Sequence, residues 1–596
     1  MTFLVMIAIT VCGLFSTRPA FALSPYHGWV VTEVVIEGVP VELAKQLKSG
    51  LALNLRSGLL KGRRPRFSES DLENDLQRIT LFLARHGYPQ AVADEQIEPN
   101  ERRKQVKVIV KVDPGAAFRF GKAKVIGIPE QLAEAASQAT TPILPGKPFA
   151  DEVVTTIQAK FDSLVQANGY ARSETKTILT FTESNSVDLE FQVEAGDPFR
   201  IESITITGIP DNLEAVTRKT INIEPGTPYS PAVIEQARDN LRTLGLFRQI
   251  RLKWQETGPE TLELNADLQT ASPRTIDLSV GSWTNDPWRL GAVWMHRNLF
   301  KKGRGLSIEG SYSLYRRLLR AATWWLALLG PRTRVEFFIR QEIQDEEAFN
   351  VDEQAVGLAA LHDFGRNSSL SYGVTVANSD VTEKIPEQES FLAESGLQTI
   401  FSARWFWDRS NHLLIPTQGG RTTLAFALSP PGALSESPYA SVEVEEVLYT
   451  PVAEKNVWAN RLNLAIAWPL KKDQELFPNR RLYAGGVNSQ RGYQRRMLGP
   501  LNANMEPTGG EVRVLANSEL RFPLPGIFGG NVFLDVGQVW EKQNQVDLSE
   551  LAVAIGTGVA IVTPVGPIRF DLAYNLTKPP EDSPYTVFHV SIGNPF

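Results

Sequence analysis

The chain has 596 residues, more than one ordinary domain holds and enough for about three to five units. A net charge of -6 and a pI near 5.8 argue against a nucleic-acid-binding protein, which would carry a basic surface. A mean hydropathy of -0.16 with 42% hydrophobic residues reads like a soluble protein. A transmembrane barrel reads the same way, because its strands alternate lipid-facing and lumen-facing side chains.

Residues 1–22 contain an apolar run from Phe3 to Phe15 and end in Ala20-Phe21-Ala22, which fits a secretory signal peptide with an A-x-A cleavage site. No Lys or Arg precedes the run, a departure from that pattern. Cys12, the only cysteine, follows the bulky Val11, which a lipoprotein cleavage box disfavours, so the segment reads as a signal core. The mature chain is then expected to lack disulfides. No later stretch reaches the roughly 18 consecutive apolar residues of a spanning helix, which leaves a periplasmic protein or an outer-membrane barrel.

Three repeats follow, at a spacing of about 80 to 90 residues. Val34-Val35-Ile36-Glu37-Gly38-Val39-Pro40, Val125-Ile126-Gly127-Ile128-Pro129 and Ile204-Thr205-Ile206-Thr207-Gly208-Ile209-Pro210 each give a strand ending in Gly-aliphatic-Pro. A short helix is predicted after each, over Glu42–Leu47, Glu130–Ala136 and Asn212–Lys219. Longer helices end at Gly87-Tyr88, Gly169-Tyr170 and Gly245-Leu246-Phe247, where glycine suits a helix stop. Two alternating strands close each unit, as in Val106–Val110 and Val187–Val193. The order is β-α-α-β-β, over 29–114, 116–197 and 199–270. It resembles the POTRA domain, a periplasmic module; the plainer alternative is three α+β spacers. Exposed strand edges in such units can accept an extended client segment.

From residue 272 to 596 helical periodicity largely stops, and the remaining length supports about 16 membrane strands. Trp283, Trp288, Trp324, Trp325, Trp405 and Trp407 suit interface girdles. A soluble β-sandwich is disfavoured, because it would need a much smaller domain or several with linkers. Parity assigns faces. Phe588, Val590, Ile592 and Phe596 are expected to face lipid, and His589 and Ser591 the lumen. The same rule places Glu519, Arg521, Asp535, Arg569 and Asp571 on the lumen wall.

Gly485-Gly486-Val487-Asn488-Ser489-Gln490-Arg491-Gly492-Tyr493 reads as a folded loop carrying one cation among strand residues. A charge held inside a barrel needs a carboxylate partner, and Arg491 is expected to pair with Glu519 or Asp535. Closure is expected between a first strand near Thr275–Gly281, with Ile276, Leu278 and Val280 on one face, and a last strand near Thr586–Ile592. No Gly-x-Ser-x-Gly elbow, Walker A loop or H-E-x-x-H motif occurs, and the six His lack metal-ligand spacing. No enzyme, metal or cofactor is expected.

Together these features resemble the BamA/TamA superfamily of outer-membrane assembly barrels: periplasmic POTRA domains before a 16-stranded antiparallel barrel. Arg491-Gly492-Tyr493, with Gly485 and Gly486, is similar to the family's inward-folded sixth loop, with Gln490 where Val is usual. Phe533, Asp535 and Gly537 match its F-x-D-x-G strand, and Glu519 its second acidic partner. Asp571 is a further lumen carboxylate. Asp408-Arg409 with Pro416, Thr417 and Gly419 resembles another family motif, and Arg297–Phe300 with Gly303-Arg304-Gly305 the turn after the first barrel strand. Phe588, Val590, Ile592 and Phe596 resemble the C-terminal β-signal, although Asn594-Pro595 is unusual there.

The resemblance implies an outer-membrane location with the N-terminal domains in the periplasm. It implies unfolded outer-membrane protein clients, contact with outer-membrane lipid and a lateral gate between first and last strands. The three repeats point to the TamA branch, implying a TamB-like inner-membrane-anchored periplasmic partner and a role in inserting autotransporters and other barrels. A two-partner-type secretion pore, a BamA-like general assembly barrel and a phospholipid-transport component are the alternatives.

Overall fold

The structure, a computed structural model, describes residues 24–54, 64–140, 143–284, 286–365, 367–384, 395–432, 435–453, 455–472, 474–563, 566–580, 583–594 and 596. The expected signal segment with Cys12, and Pro595, lie outside these residues. The chain forms two compact bodies. One reaches to Leu164 and includes Ser173–Ala195; the other comprises Val165–Arg172 and Gly196–Phe596.

Three small sheets precede the barrel. In the first, Gln105–Asp113 is central, parallel to Val30–Glu37 and antiparallel to Val92–Asn100. The helix Glu69–Arg85 buries Leu72, Ile79 and Leu83, which share one face at helical spacing, against Val34 and Val108. The second sheet places Ser186–Glu194 between Arg119–Ile126 and Glu174–Phe181. The third is built alike from Arg200–Thr207, Thr261–Thr270 and Phe247–Gly258, with the two-residue strand Thr227–Pro228 added at its edge.

The repeated Gly-aliphatic-Pro has a steric cause. Gly38, Gly127 and Gly208 take φ of +87°, +78° and +79°, and a Cβ at each would lie 1.9, 2.2 and 2.2 Å from a main-chain carbonyl of the adjoining strand. Only glycine satisfies both conditions.

The barrel is one sheet of sixteen antiparallel strands. They are β1 (Arg274–Trp283), β2 (Asp286–His296), β3 (Gly305–Ser313), β4 (Arg316–Leu326), β5 (Thr333–Asp345), β6 (Phe349–Gly365), β7 (Ser368–Glu383) and β8 (Gly396–Asp408). The second half runs β9 (Gly419–Ser429), β10 (Tyr439–Ala453), β11 (Asn456–Pro469), β12 (Val512–Pro523), β13 (Phe528–Trp540), β14 (Ala552–Thr563), β15 (Gly566–Asn575) and β16 (Thr586–Ile592). Each strand pairs with its sequence neighbour, and β1 and β16 have no ladder between them. The end of the barrel nearest the third small domain is called proximal below, and the other end distal.

Strand parity holds through most of the wall. Phe588 and Ile592 face out, while His589 and Ser591 are buried inside. Two expectations need correction. Phe596 does not follow the outward set: it is 7% exposed and packs among Val447, Tyr449, Val457 and Ala459 on the inner wall of β10 and β11. Strand β16 ends at Ile592, and Gly593 at φ +95° turns the chain, so period-two alternation no longer applies. Trp324 is buried as well, under the Arg334 guanidinium, rather than in an outer girdle. Trp288 does face out, stacked on Tyr312.

At the proximal end the β4–β5 turn joins the hydrophobic core of the third small domain. Ala327 is buried with Leu241, Leu244 and Leu246 of the third small domain, and Leu326 packs beside it. Arg332 Nε donates to Asn240 Oδ1 at 2.6 Å, and Lys219 Nζ to Leu328 O at 3.3 Å.

Candidate functional site

Residues 470–511 join β11 to β12 at the distal end, and this loop folds into the lumen. Gly485 and Gly486 take φ of +108° and +103°. Their conformation lets Gly486 N–H donate to the carbonyls of Gln490 and Tyr493, at 3.1 and 3.0 Å, which closes the tip into a compact turn. Gly492 lies so close to the wall that a Cβ there would overlap Asn575 Oδ1 and the Ala554 methyl group. Tyr493 packs with Ala484, Leu498, Leu515, Val539 and Ala552, so the tip has its own small apolar core.

This turn delivers Arg491, 1% exposed, to the wall of β12, β13 and β15. Its Nε and Nη2 donate to Asp535 Oδ2 and Oδ1, both at 2.8 Å, a two-bond fork that fits guanidinium to carboxylate. Its main-chain N–H adds a third bond to Asp535 Oδ2 at 3.0 Å. Nη1 donates to Glu519 Oε2 at 2.6 Å and lies 3.6 Å from Asp571 Oδ2. Sequence reasoning offered Glu519 or Asp535; the structure brings both to the same cation. The ring of Phe533 lies against the guanidinium, 3.4 Å from its carbon. Gly556 leaves the space that ring occupies. Burial alone would push the Arg491 guanidinium down, but Asp535, then Glu519 and Asp571, hold it above its ordinary value.

Glu519 gathers two further cations. Arg569 donates to both of its oxygens at 2.8 Å and Arg521 Nε to Oε1 at 2.6 Å, while Arg569 also reaches Asp571. Three guanidiniums thus meet three carboxylates in a charge-balanced cluster. Removing any one member leaves an uncompensated buried charge, a loss on the order of 3–5 kcal/mol.

Four neutral side chains fasten the loop or the carboxylates that hold it, and the sequence alone did not single them out for it. Asn517 donates to Ser489 O and to Asp535, and Asn575 to Gly492 O at 2.6 Å. Asn531 donates to Asp571 Oδ1 at 3.1 Å, and His589 Nε2 donates to Arg491 O at 2.8 Å. His589 had the inward parity; its one-residue contact gives no motif. The loop also meets the opposite wall, where Asn479 and Arg480 bond Glu353 of β6, and Arg495 forks onto Glu346.

The seam differs from the expected closure. Instead of a ladder over Thr275–Gly281, the hydrogen bonds across it among the described residues join Thr284 and Val590. The Thr284 hydroxyl stands where a strand would pair, and β16 is only seven residues long. Ile276, Leu278 and Val280 are 68%, 78% and 81% exposed, well beyond the outer-face residues of inner strands such as Leu290 at 51%. The family-like Asp408-Arg409 and Gly419 shape the proximal β8–β9 turn, where Arg409 N–H donates to Gly420 O.

Residues 30–115 match a family model described as a surface antigen variable number repeat, the POTRA model. The outer membrane protein assembly factor BamA of Neisseria meningitidis is 22% identical, over 93% of this chain and 76% of its own length. That of Nitratidesulfovibrio vulgaris is also 22% identical, over 92% of this chain and 71% of its own. The crystal structure of Haemophilus ducreyi BamA lacking POTRA domains 1–3 superposes with a TM-score of 0.61 and 18% identity, covering 80% of this chain and all of that one; it shares the fold. Residues 298–596, half of the chain, match the Omp85 superfamily domain, and the chain belongs to the Omp85 superfamily.

Proposed function

We propose that this chain assembles other β-barrel proteins into the outer membrane, acting without enzymatic chemistry through the seam between β1 and β16. The barrel resides in the bacterial outer membrane, with the N-terminal POTRA region on the periplasmic side. The observation that carries the reading is the seam: fifteen neighbouring pairs are laddered, while β1 and β16 each keep one edge free of a strand partner. Such an edge offers unpaired N–H and C=O groups to an incoming strand. The relatives named as assembly factors support the same reading.

The three small domains act as three POTRA units in this proposal, over 29–114, 116–197 and 199–270, handing clients along their strand edges. That count favours the TamA branch, with autotransporters among the clients and a TamB-like partner in the periplasm. Arg491 and its carboxylates act as the latch that fixes the loop during client insertion. Phe588, Val590 and Ile592 serve as the outward part of the β-signal.

Depletion followed by an outer-membrane proteome tests the reading: many barrel proteins should fall together. Loss of one secreted substrate, with barrels unchanged, would favour a secretion pore. A seam cross-link is best placed at Thr284→Cys with Val590→Cys, because hydrogen bonds already join these two residues across the seam. Full activity in the oxidised, locked form would refute the gate.

A further inference from the structure

Near the distal rim, β2 to β5 turn one lateral row of side chains into the lumen. Arg289 is registered opposite Ser313, Ser313 and Arg316 flank the β3–β4 hairpin, and Arg316 is opposite Gln344. Arg495 and Arg496 of the inward loop close this row into a cavity of about 310 Å³, at the small end of ligand-pocket sizes.

The charges around this cavity do not balance. Arg316 Nε pairs with Glu342 at 2.8 Å and Arg289 Nη2 with Asp286 at 3.2 Å. Arg495 takes both oxygens of Glu346, so Arg496 shares a carboxylate already engaged, at 3.1 Å. Among the described residues that line the cavity, four guanidiniums stand against three carboxylates, an excess of one positive charge. Burial, helped by repulsion from Arg495 and opposed by attraction to Glu346, holds the Arg496 guanidinium below its ordinary value.

Three polar atoms in the lining are buried without a hydrogen-bond partner: Arg496 Nη1, Asp286 Oδ1 and Ser313 Oγ. Ser313 is 2% exposed. Buried polar atoms in native proteins are almost always satisfied. Water can supply hydrogen bonds, but it does not neutralise the extra cation. The orphaned set asks for a ligand that is anionic and acceptor-rich toward Arg496, and that donates a hydrogen bond toward Asp286.

We propose that this cavity binds a phosphate attached to a hydroxyl-bearing ring, a phosphosugar, with the phosphate on Arg496 and a ring hydroxyl on Asp286. Arg496 supplies the charge-assisted bond, Asp286 accepts from the hydroxyl, and the Ser313 hydroxyl completes the set. The same chemistry is carried by a free sugar phosphate and by the phosphorylated saccharide headgroup of an outer-leaflet lipid.

Titration calorimetry on the full chain in detergent tests this with N-acetylglucosamine 1-phosphate, N-acetylglucosamine and inorganic phosphate. The phosphosugar should bind at least tenfold tighter than either fragment. Arg496→Gln should weaken it tenfold or more, and Ser313→Ala severalfold, with heat-modifiable mobility confirming the folded barrel. If Arg496→Gln does not fold, Ser313→Ala with Asp286→Asn decides the matter. Absence of saturable binding, equal binding of inorganic phosphate, or unchanged affinity in the folded variants would overturn the proposal. Repeating the titration in nanodiscs with lipid A and in phosphatidylcholine nanodiscs separates the sources: binding blocked only by lipid A identifies the headgroup, and binding equal in both identifies the free phosphosugar.

Discussion

His589 Nε2 donates to the main-chain carbonyl of Arg491 across 2.8 Å, so the last barrel strand holds the loop by its backbone while β12, β13 and β15 hold it by charge. His589→Ala should leave the Arg491 fork in place and remove the only one of these ties that reaches β16. A local loss of about 1 kcal/mol is expected for one such hydrogen bond. Hydrogen exchange should then quicken at 586–592 and stay unchanged at 528–540. Equal protection of β16 in variant and parent would show that the tie does not matter.

Reversing the central charge tests the cluster. Arg491→Glu places a fourth anion against Glu519, Asp535 and Asp571, with a loss on the order of 3–5 kcal/mol or more. Heat-modifiable mobility should weaken and the loop should become open to protease. Arg491→Glu with Asp535→Arg should recover part of the loss. Arg491→Lys should fall between, because an ammonium cannot make the two parallel bonds. An intact barrel with a protected loop in Arg491→Glu would rule out the role given to this residue.

Phe596→Ala should empty the site between Val447, Tyr449, Val457 and Ala459 at the proximal mouth of the lumen. Phe-to-Ala changes in full cores cost about 3–5 kcal/mol, and this smaller cluster should lose less. The unfolding midpoint in detergent should fall, and a cysteine at Ala459 should label faster with a thiol reagent from the periplasmic side. If Phe596 faced lipid instead, labelling at Ala459 would not change.

Asp162, on the helix Asp151–Ala167, is half-buried with Oδ1 unpartnered. Burial pushes its carboxyl above the ordinary value, more than hydrogen bonds from Thr175 pull it down. The folded state then holds the proton more tightly than the unfolded one. Its favourable contribution is complete below the ordinary carboxylate range and disappears as pH rises through the raised value. Asp162→Asn should therefore raise the denaturation midpoint of this region at about pH 7. It should give no gain at about pH 3, below the usual Asp value near 3.9. A gain of equal size at both pH values would contradict the argument.

What the sequence made legible was local. Strand parity placed Glu519, Asp535 and Asp571 on one wall, and the glycines around Arg491 marked a loop able to reach them. The spacing of Gly38, Gly127 and Gly208 marked three units because a steric requirement recurs in each. The misreadings concern relations between distant segments. Phe596 inherited the parity of β16, but one left-handed glycine removes that inheritance. The seam contact at Thr284 depends on how sixteen strands stagger around the barrel, which no single strand records. His589, Asn517 and Asn575 are ordinary residues whose importance comes from the main-chain atoms opposite them, and main-chain atoms carry no sequence signature.

The β4–β5 turn has a consequence for where the molecule can be divided. Ala327 completes the core of a domain whose own chain ended more than fifty residues earlier, and Arg332 bonds back to Asn240. A cut near residue 271 would pass through a short connecting segment yet expose a greasy foot on the barrel and a missing wall in the domain. Those two parts should melt together.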